Sequence, residues 1–129
     1  MDQPASVVAR WLAAGDCGDV EAFDDLLHRD VVLHAPRGLS TKDLESEKQV
    51  WREAVTAMPD LRHGVQEVVA QGNVEMARVI VTGTLRHDLA GVPGSGQSSQ
   101  MDQAVICHLH DGKIAEAWEI ADVGSLDGR

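Results

Sequence analysis

The chain has 129 residues, which favours one domain over residues 1–129, and its 43% hydrophobic and 25% charged content is typical of a globular protein. The formal net charge of −10 argues against nucleic acid and membrane surfaces as partners, because both bind proteins through basic side chains. The first residues show no basic region followed by an apolar stretch, and Cys17 and Cys107 have no motif spacing. We therefore expect a reduced, cytoplasmic protein.

The predicted elements place helices before strands. Pro4 suits the first turn of a helix and Gly15 its exit, while Ser40 with Asp43 resembles a capping box at the start of a longer helix. The strands alternate polar and apolar residues between turn signals. The predicted order is helix, helix, strand, helix and four strands, over residues 4–14, about 19–27, 31–35, 40–58, 61–70, 74–89, 101–110 and 113–122.

The last two predicted strands form a hairpin around Asp111-Gly112, a strong short-range turn signal because Gly accepts positive φ. Strand alternation places one set of side chains of the final strand on a single face: Ile114, Glu116, Trp118, Ile120 and Asp122. A two-residue turn and a three-residue bulged turn pair the strands differently. One register adds His108 to that face and the other adds Gln103 and Cys107.

This order of elements predicts an α+β fold in which a curved antiparallel sheet wraps a long helix. The space between sheet and helix is a natural cavity for a small hydrophobic substrate. The predicted strand over 74–89 is apolar on both sides. We therefore expect the outer face of the sheet to be buried in a homodimer or larger homo-oligomer.

Several short motifs in the second half of the chain follow the order of a known family. They are Met58-Pro59-Asp60-Leu61-Arg62 with Val68, Gly72 and Arg78, then Gly83-Thr84 with Leu89-Ala90-Gly91-Val92-Pro93-Gly94-Ser95-Gly96, and finally Asp111-Gly112-Lys113-Ile114 with Glu116, Trp118 and Asp122. Together they resemble the SnoaL-like polyketide cyclases. The resemblance implies a nuclear-transport-factor-2-like cone and an aldol-type ring closure that needs no cofactor and no metal.

The resemblance also implies roles for particular residues. Asp122 matches the family's acid/base, and His108 matches a histidine near it. His34 and Arg86 are expected to polarise a carbonyl or to orient the acid. The substrate pocket is expected to include Trp51, Leu85, His87, Trp118 and Ile120. Leu85 and His87 stand where the family usually has His and Gly, so the substrate is expected to differ from that of the family's anthracycline cyclases.

A second resemblance competes with the first. Arg86-His87-Asp88, followed by Gly96 and Asp122, is similar to the Asp-Arg-Asp arrangement of limonene-epoxide hydrolases. Arg86 and Asp88 lie two residues apart on the predicted strand and would share a face. An epoxide hydrolase or epoxide-opening cyclase is therefore an alternative, as is a small-molecule-binding cone without catalysis.

Simpler interpretations stand beside these. Asp122 could end a strand at the solvent rim, and Arg86 with Asp88 could form a surface ion pair. His108 and His110 share a strand face, which makes a zinc site conceivable, but no further ligand has metal-site spacing and we expect none.

Overall fold

The computed structural model describes residues 6–122 as a mixed α+β fold with one curved, open sheet. The elements are α1 (Val7–Asp16), a 3-10 helix (Val20–Asp25), β1 (Leu27–His34), α2 (Leu44–Ala57), β2 (Arg62–Gln71), β3 (Val74–Thr84), β4 (Ser98–His110) and β5 (Lys113–Ala121). The strand order is β1-β5-β4-β3-β2, with β1 parallel to β5 and the other pairs antiparallel. The predicted fold class and order of elements are confirmed.

The start of α1 is held by groups from two parts of the chain. The Ser6 side chain accepts a hydrogen bond from the Ala9 backbone N–H at 3.1 Å. The buried Glu75 carboxylate of β3 accepts from the backbone N–H groups of Val7 and Val8, at 3.2 and 2.8 Å. These contacts satisfy donors that a helix start leaves unpaired and place a negative charge at the positive end of the helix dipole.

The start of α2 differs from the prediction in its capping residue. Asp43 is the N-cap and accepts from the Ser46 backbone N–H at 2.8 Å. Ser40 instead hydrogen-bonds both the N–H and the C=O of Ala35, at 2.9 and 3.1 Å. The predicted capping box is therefore wrong, because Ser40 closes the loop after β1 rather than opening the helix.

Gly15 is the contact point between the two helices. The sequence pattern places it at the exit of the first helix, but α1 continues to Asp16. A Cβ at Gly15 would lie within 2.6 Å of Trp51 Cδ2, so only Gly allows the indole to pack against α1. Trp11 and Phe23 meet the same indole edge-on, with ring centroids 6.2 and 6.0 Å away. Trp51 is thus the centre of the packing between the helices.

Strand β3 is shorter than the predicted strand over 74–89. It ends at Thr84, whose N–H and hydroxyl donate to the two Asp60 carboxylate oxygens at 2.8 and 2.7 Å. The Leu85 carbonyl then accepts from the backbone N–H groups of Ser95 and Gly96. Because residues 85–97 form a loop between β3 and β4, the argument that Arg86 and Asp88 share a strand face is wrong.

The β4–β5 hairpin settles the register that the sequence left open. His110 pairs with Lys113 across a two-residue turn in which Asp111 and Gly112 both have positive φ, 51° and 80°. His108 pairs with Glu116 and therefore shares its face.

A β-bulge in β5 reverses the predicted alternation. Leu109 pairs with Ile114 but His108 pairs with Glu116, so Ala115 is an extra residue on β5. After the bulge, Ala117 and Glu119 face the helices, and Trp118 lies on the other side. The prediction of one common face from Ile114 to Asp122 is wrong, because Ile114 lies on the inner face and the other four do not.

Candidate active site

A cavity of about 150 Å³ lies between α2 and the inner face of the sheet. Side chains of α2 and of strands β2 to β5 line it, together with the loop after β1 and the loop over residues 85–97. Most of the lining is apolar, including Val81, Leu85 and Met58. Polar side chains also line the cavity, among them Glu47, Glu119, Gln103 and His63, together with Arg37 and Gln97.

Glu47 lies on the buried side of α2 and is 2% exposed. Both of its oxygens accept hydrogen bonds, one from the Thr41 hydroxyl at 2.7 Å and one from the Trp51 indole N–H at 2.8 Å. Burial raises the pKa of this carboxyl, while the two donors act in the opposite direction because they favour the ionised form. Glu47 is therefore a fixed acceptor in the cavity wall.

Glu119 comes from the inner face of β5, and its carboxyl lies in the cavity lining. Burial raises its pKa to about 8, and the charge of nearby Glu47 contributes in the same direction. The Gln103 side chain donates to its Oε1 at 3.3 Å. The Oε1 atom of Gln103 is buried without a partner within residues 6–122. At neutral pH the Glu119 carboxyl therefore holds a proton that it can donate.

His63 of β2 forms a dyad with Asp16, the last residue of α1. The imidazole Nδ1 lies 2.7 Å from Asp16 Oδ1, and the His63 backbone N–H donates to Oδ2 at 2.6 Å. The imidazole also packs against the Trp51 indole, with centroids 5.0 Å apart. The dyad is thus tied to the same tryptophan that holds Glu47.

The expected pocket residues divide into two groups. Trp51 and Leu85 line the cavity. Trp118 does not, because the bulge turns it to the outer face of the sheet. Ile120 lies on that outer face and is 59% exposed, and His87 is exposed in the loop after β3. The placement of these last three residues in the pocket is therefore corrected.

The two histidines expected near the acid also lie on the outer face of the sheet. The His34 ring stacks on Trp118 with centroids 5.1 Å apart, and the His108 ring meets Trp118 edge-on at 4.8 Å. His34 Nε2 lies 2.7 Å from the Glu116 carboxylate. Neither histidine lines the cavity.

The three residues of the expected Asp-Arg-Asp arrangement also lie outside the cavity lining. Asp122 follows the end of β5 and is exposed. Arg86 and Asp88 are exposed in the loop after β3, where the Asp88 carboxylate accepts from the Gly94 backbone N–H at 2.9 Å. Their catalytic roles stay predictions that substitution can test.

Glu47 and Glu119 were not predicted as site residues. The sequence contained a signal for Glu47 but none for Glu119. Glu47 lies four residues before Trp51, on the apolar stripe of α2, and an acid on a buried helix face marks a partnered or functional group. Glu119 carried no such signal, because its inward position depends on the bulge at Ala115.

Two negative findings hold within residues 6–122. No helix there is long and apolar enough to cross a membrane. No three or more His, Cys, Asp or Glu residues in the same range are grouped so that they could hold a metal ion.

Solved structures with the same fold include two candidate polyketide cyclases and the protein TsrD. IdmH from Streptomyces antibioticus, a candidate polyketide cyclase, is 28% identical, with 96% of this chain and 95% of that chain covered and a TM-score of 0.81. TsrD from Streptomyces laurentii is 24% identical, with 93% and 88% covered and a TM-score of 0.83. A candidate SnoaL-like polyketide cyclase from Jannaschia sp. CCS1 is 17% identical, with 98% and 94% covered and a TM-score of 0.83.

A search of curated proteins finds no match. The family model for the SnoaL-like polyketide cyclases, in contrast, matches residues 5–126, which is nearly the whole chain. The motifs between residues 58 and 122, the cone-like α+β fold and this match agree. The chain belongs to the SnoaL-like polyketide cyclase family.

Proposed function

We propose that this protein closes a ring in a polyketide-like carbonyl compound by acid–base catalysis, with Glu119 as the proton donor. The observation that carries the proposal is a carboxyl group in an apolar cavity whose pKa is raised to about 8. A general acid is most effective when its pKa lies near the working pH. Membership of the family and similarity to IdmH support the reaction class.

The aldol-type step has a simple proton balance. A base removes a proton from a carbon next to a carbonyl group, and the resulting enolate carbon forms a bond to a second carbonyl carbon. The oxygen of that second carbonyl gains negative charge, which the Glu119 proton neutralises as the new hydroxyl forms. A dry cavity strengthens this proton transfer because charge is poorly solvated there.

Glu47 has a supporting role in this proposal. Burial is the larger cause of the raised Glu119 pKa, and the charge of Glu47 adds to it in the same direction. The hydrogen bonds from Thr41 and Trp51 hold it in place. Glu47 is thus expected to assist burial in keeping the proton on Glu119, and Glu119 is the donor.

Glu119 takes the role that the family resemblance assigns to Asp122. Glu119 lines the cavity and has a strongly raised pKa, whereas Asp122 is exposed and does not line it. The substrate we propose is small and hydrophobic, because the lining is mainly apolar, and it carries at least two carbonyl groups, because ring closure needs a donor and an acceptor.

The test compares Glu119→Gln with Glu116→Gln, which lies on the outer face of the same strand. The probes are synthetic poly-β-ketone methyl esters of graded length, with cyclised product followed by chromatography and mass spectrometry. Loss of the acid should lower kcat by about 10²–10⁴, the usual contribution of general acid–base catalysis. Glu116→Gln should stay within about twofold of wild type, because removing an exposed ion pair changes little.

Three results would count against the proposal. If Glu119→Gln turns over the probes at the wild-type rate, the Glu119 carboxyl takes no part in the reaction. Loss of turnover in Asp122→Asn, with Glu119→Gln unaffected, would return the acid/base role to Asp122. If wild type binds the probes without converting them, the cone is a small-molecule-binding module.

A further inference from the structure

The His63–Asp16 dyad lies beside the cavity and has no part in the acid step described above. We propose that His63 is the general base that removes the carbon-bound proton, and that Asp16 is its positioning residue. This inference rests on the proposed ring closure, because it names the base which that reaction needs. It divides the two proton transfers between an imidazole on β2 and a carboxyl on β5.

The hydrogen bonds of the dyad fix which nitrogen is available. A carboxylate oxygen can only accept, so the 2.7 Å contact with Asp16 Oδ1 places the proton on His63 Nδ1. Neutral imidazole then carries its lone pair on Nε2. Within residues 6–122, Nε2 makes no hydrogen bond, and His63 lines the cavity. The nitrogen left unpaired is therefore the one that can accept a proton.

Asp16 contacts His63 through both of its carboxylate oxygens. The bond from the His63 backbone N–H to Asp16 Oδ2, at 2.6 Å, already joins the helix to the strand. The second oxygen is used to orient the imidazole. The two side chains are only 8% and 16% exposed, so the carboxylate also offsets the positive charge that His63 would gain on accepting a proton.

The Trp51 indole connects this dyad to the acid side of the cavity. It packs against the His63 ring, and its N–H donates to Glu47. In the proposed cycle the C–H bond breaks as Nε2 takes the proton, the C–C bond forms, and the Glu119 proton moves to the carbonyl oxygen. After product release, His63 has gained one proton and Glu119 has lost one, and exchange with solvent restores both.

The test uses a reaction that needs only a base. Opening of 5-nitrobenzisoxazole breaks a C–H and an N–O bond and gives a coloured phenolate, so proton removal is measured without any acid step. Wild type should open this probe faster than the same concentration of free imidazole. His63→Gln should lower the rate at least about tenfold, a threshold set below the usual general-base contribution of about 10²–10⁴.

The matched control is His110→Gln, since His110 also lies beside a carboxylate, Asp111 at 3.4 Å, but is exposed on the hairpin turn. This control should keep the wild-type rate. No acceleration by wild type, or equal rates for wild type and His63→Gln, would overturn the proposal. His63→Gln leaves the Asp16 contact with the backbone N–H available, and its fold can be checked by amide NMR.

Asp16→Asn tests the positioning role. It should lower kcat for the probe and leave KM within about twofold, because the base is misoriented while the cavity is kept. Ring ¹⁵N shifts of His63 should show the Nδ1–H tautomer in wild type and a mixture in the variant. If Nδ1 of His63 carries no proton in wild type, Nε2 is not the free base and the proposed role of His63 is contradicted.

The two proposals can fail separately. If Glu119→Gln stops ring closure and His63→Gln does not, the dyad is structural and the proposed function stands. If His63→Gln stops probe opening while Glu119→Gln still closes rings, the base is correct and the proposed acid is wrong. If Glu119→Gln, rather than His63→Gln, stops probe opening, the carboxyl is the base and the dyad proposal is overturned.

Discussion

The two faces of the sheet use the same residue types for different purposes. On β5, Glu116 points outward and lies 2.7 Å from the His34 imidazole, whereas Glu119 points inward and has its pKa raised to about 8. The two glutamates are three residues apart, and the bulge at Ala115 sets which of them points inward. Burial, and not residue identity, therefore makes one of them a candidate acid.

The outer face carries a row across all five strands, called here the apolar row, which is apolar on β2 to β5 and ends at His34 on β1. Cross-strand pairing aligns one residue from each strand: His34, Trp118, Ile106, Met76 and Val69. Met76 and Val69 are 45% and 61% exposed. The inner face instead carries the cavity and its polar groups. The inner face therefore suits catalysis, whereas the outer face suits association with another protein surface.

The first prediction concerns stability and the packing of Gly15 against Trp51. Gly15→Ala should destabilise the protein by about 1–3 kcal/mol, the usual cost of overpacking a core, because the new methyl group overlaps the Trp51 indole. Denaturant unfolding measures this change. The control Ala13→Ser, on the exposed side of the same helix, should change stability by less than about 0.7 kcal/mol, the range of helix propensity.

An unchanged midpoint for Gly15→Ala would show that the helices do not pack as closely as described. Because Trp51 also contacts Glu47 and His63, the variant should lose ring closure more strongly than its stability loss alone predicts. A folded variant with wild-type turnover would contradict the link between Trp51 and the cavity.

The second prediction concerns the outer face. We propose that a second copy of this chain covers the apolar row, since a row that crosses the sheet edge to edge can pair with itself about a twofold axis. Met76→Lys places a charge in the row and should weaken dimerisation at least tenfold, or about 1.4 kcal/mol. Sedimentation over a concentration series measures the change.

The control for this prediction is Arg78→Lys on the same strand and face, which keeps its charge. It should dimerise like wild type. Wild type that stays monomeric at all concentrations, or Met76→Lys that dimerises normally, would contradict the proposed interface.

The last prediction concerns the pH dependence of stability, which is small over any single pH unit. Between about pH 4.5 and 8, folded Glu119 keeps its proton while the unfolded chain releases it, so stability falls as pH rises. The contribution is at most about 1.4 kcal/mol per pH unit. Glu119→Gln should flatten the slope and Glu116→Gln should leave it unchanged. Equal slopes for wild type and Glu119→Gln would contradict the raised pKa.

Local signals in the sequence predicted most of the fold. The order of elements, the α+β class and the position of the Asp111-Gly112 turn follow from apolar periodicity and from residues that accept positive φ. The motifs between residues 58 and 122 identified the family, which the match over residues 5–126 confirms. Trp51 and Leu85, which were expected in the substrate pocket, line the cavity.

The site was less predictable because strand faces depend on non-local pairing. One extra residue in β5 exchanges the inward and outward sets, which moved Trp118 and Ile120 out of the pocket and brought Glu119 in. The dyad was missed for a similar reason. Asp16 and His63 lie 47 residues apart, and only the packing of α1 against β2 brings them together.

The most direct test of the central claim is the pKa of the Glu119 carboxyl, measured by carbon-detected NMR with Glu119→Gln for assignment. We expect the Glu119 carboxyl to titrate near 8, with Glu116 as the outward-facing comparison in the same spectra. Such a value would show a desolvated acid that holds its proton at neutral pH. A Glu119 titration near the ordinary ~4.3 would mean a solvated carboxylate and would contradict the proposed proton donor.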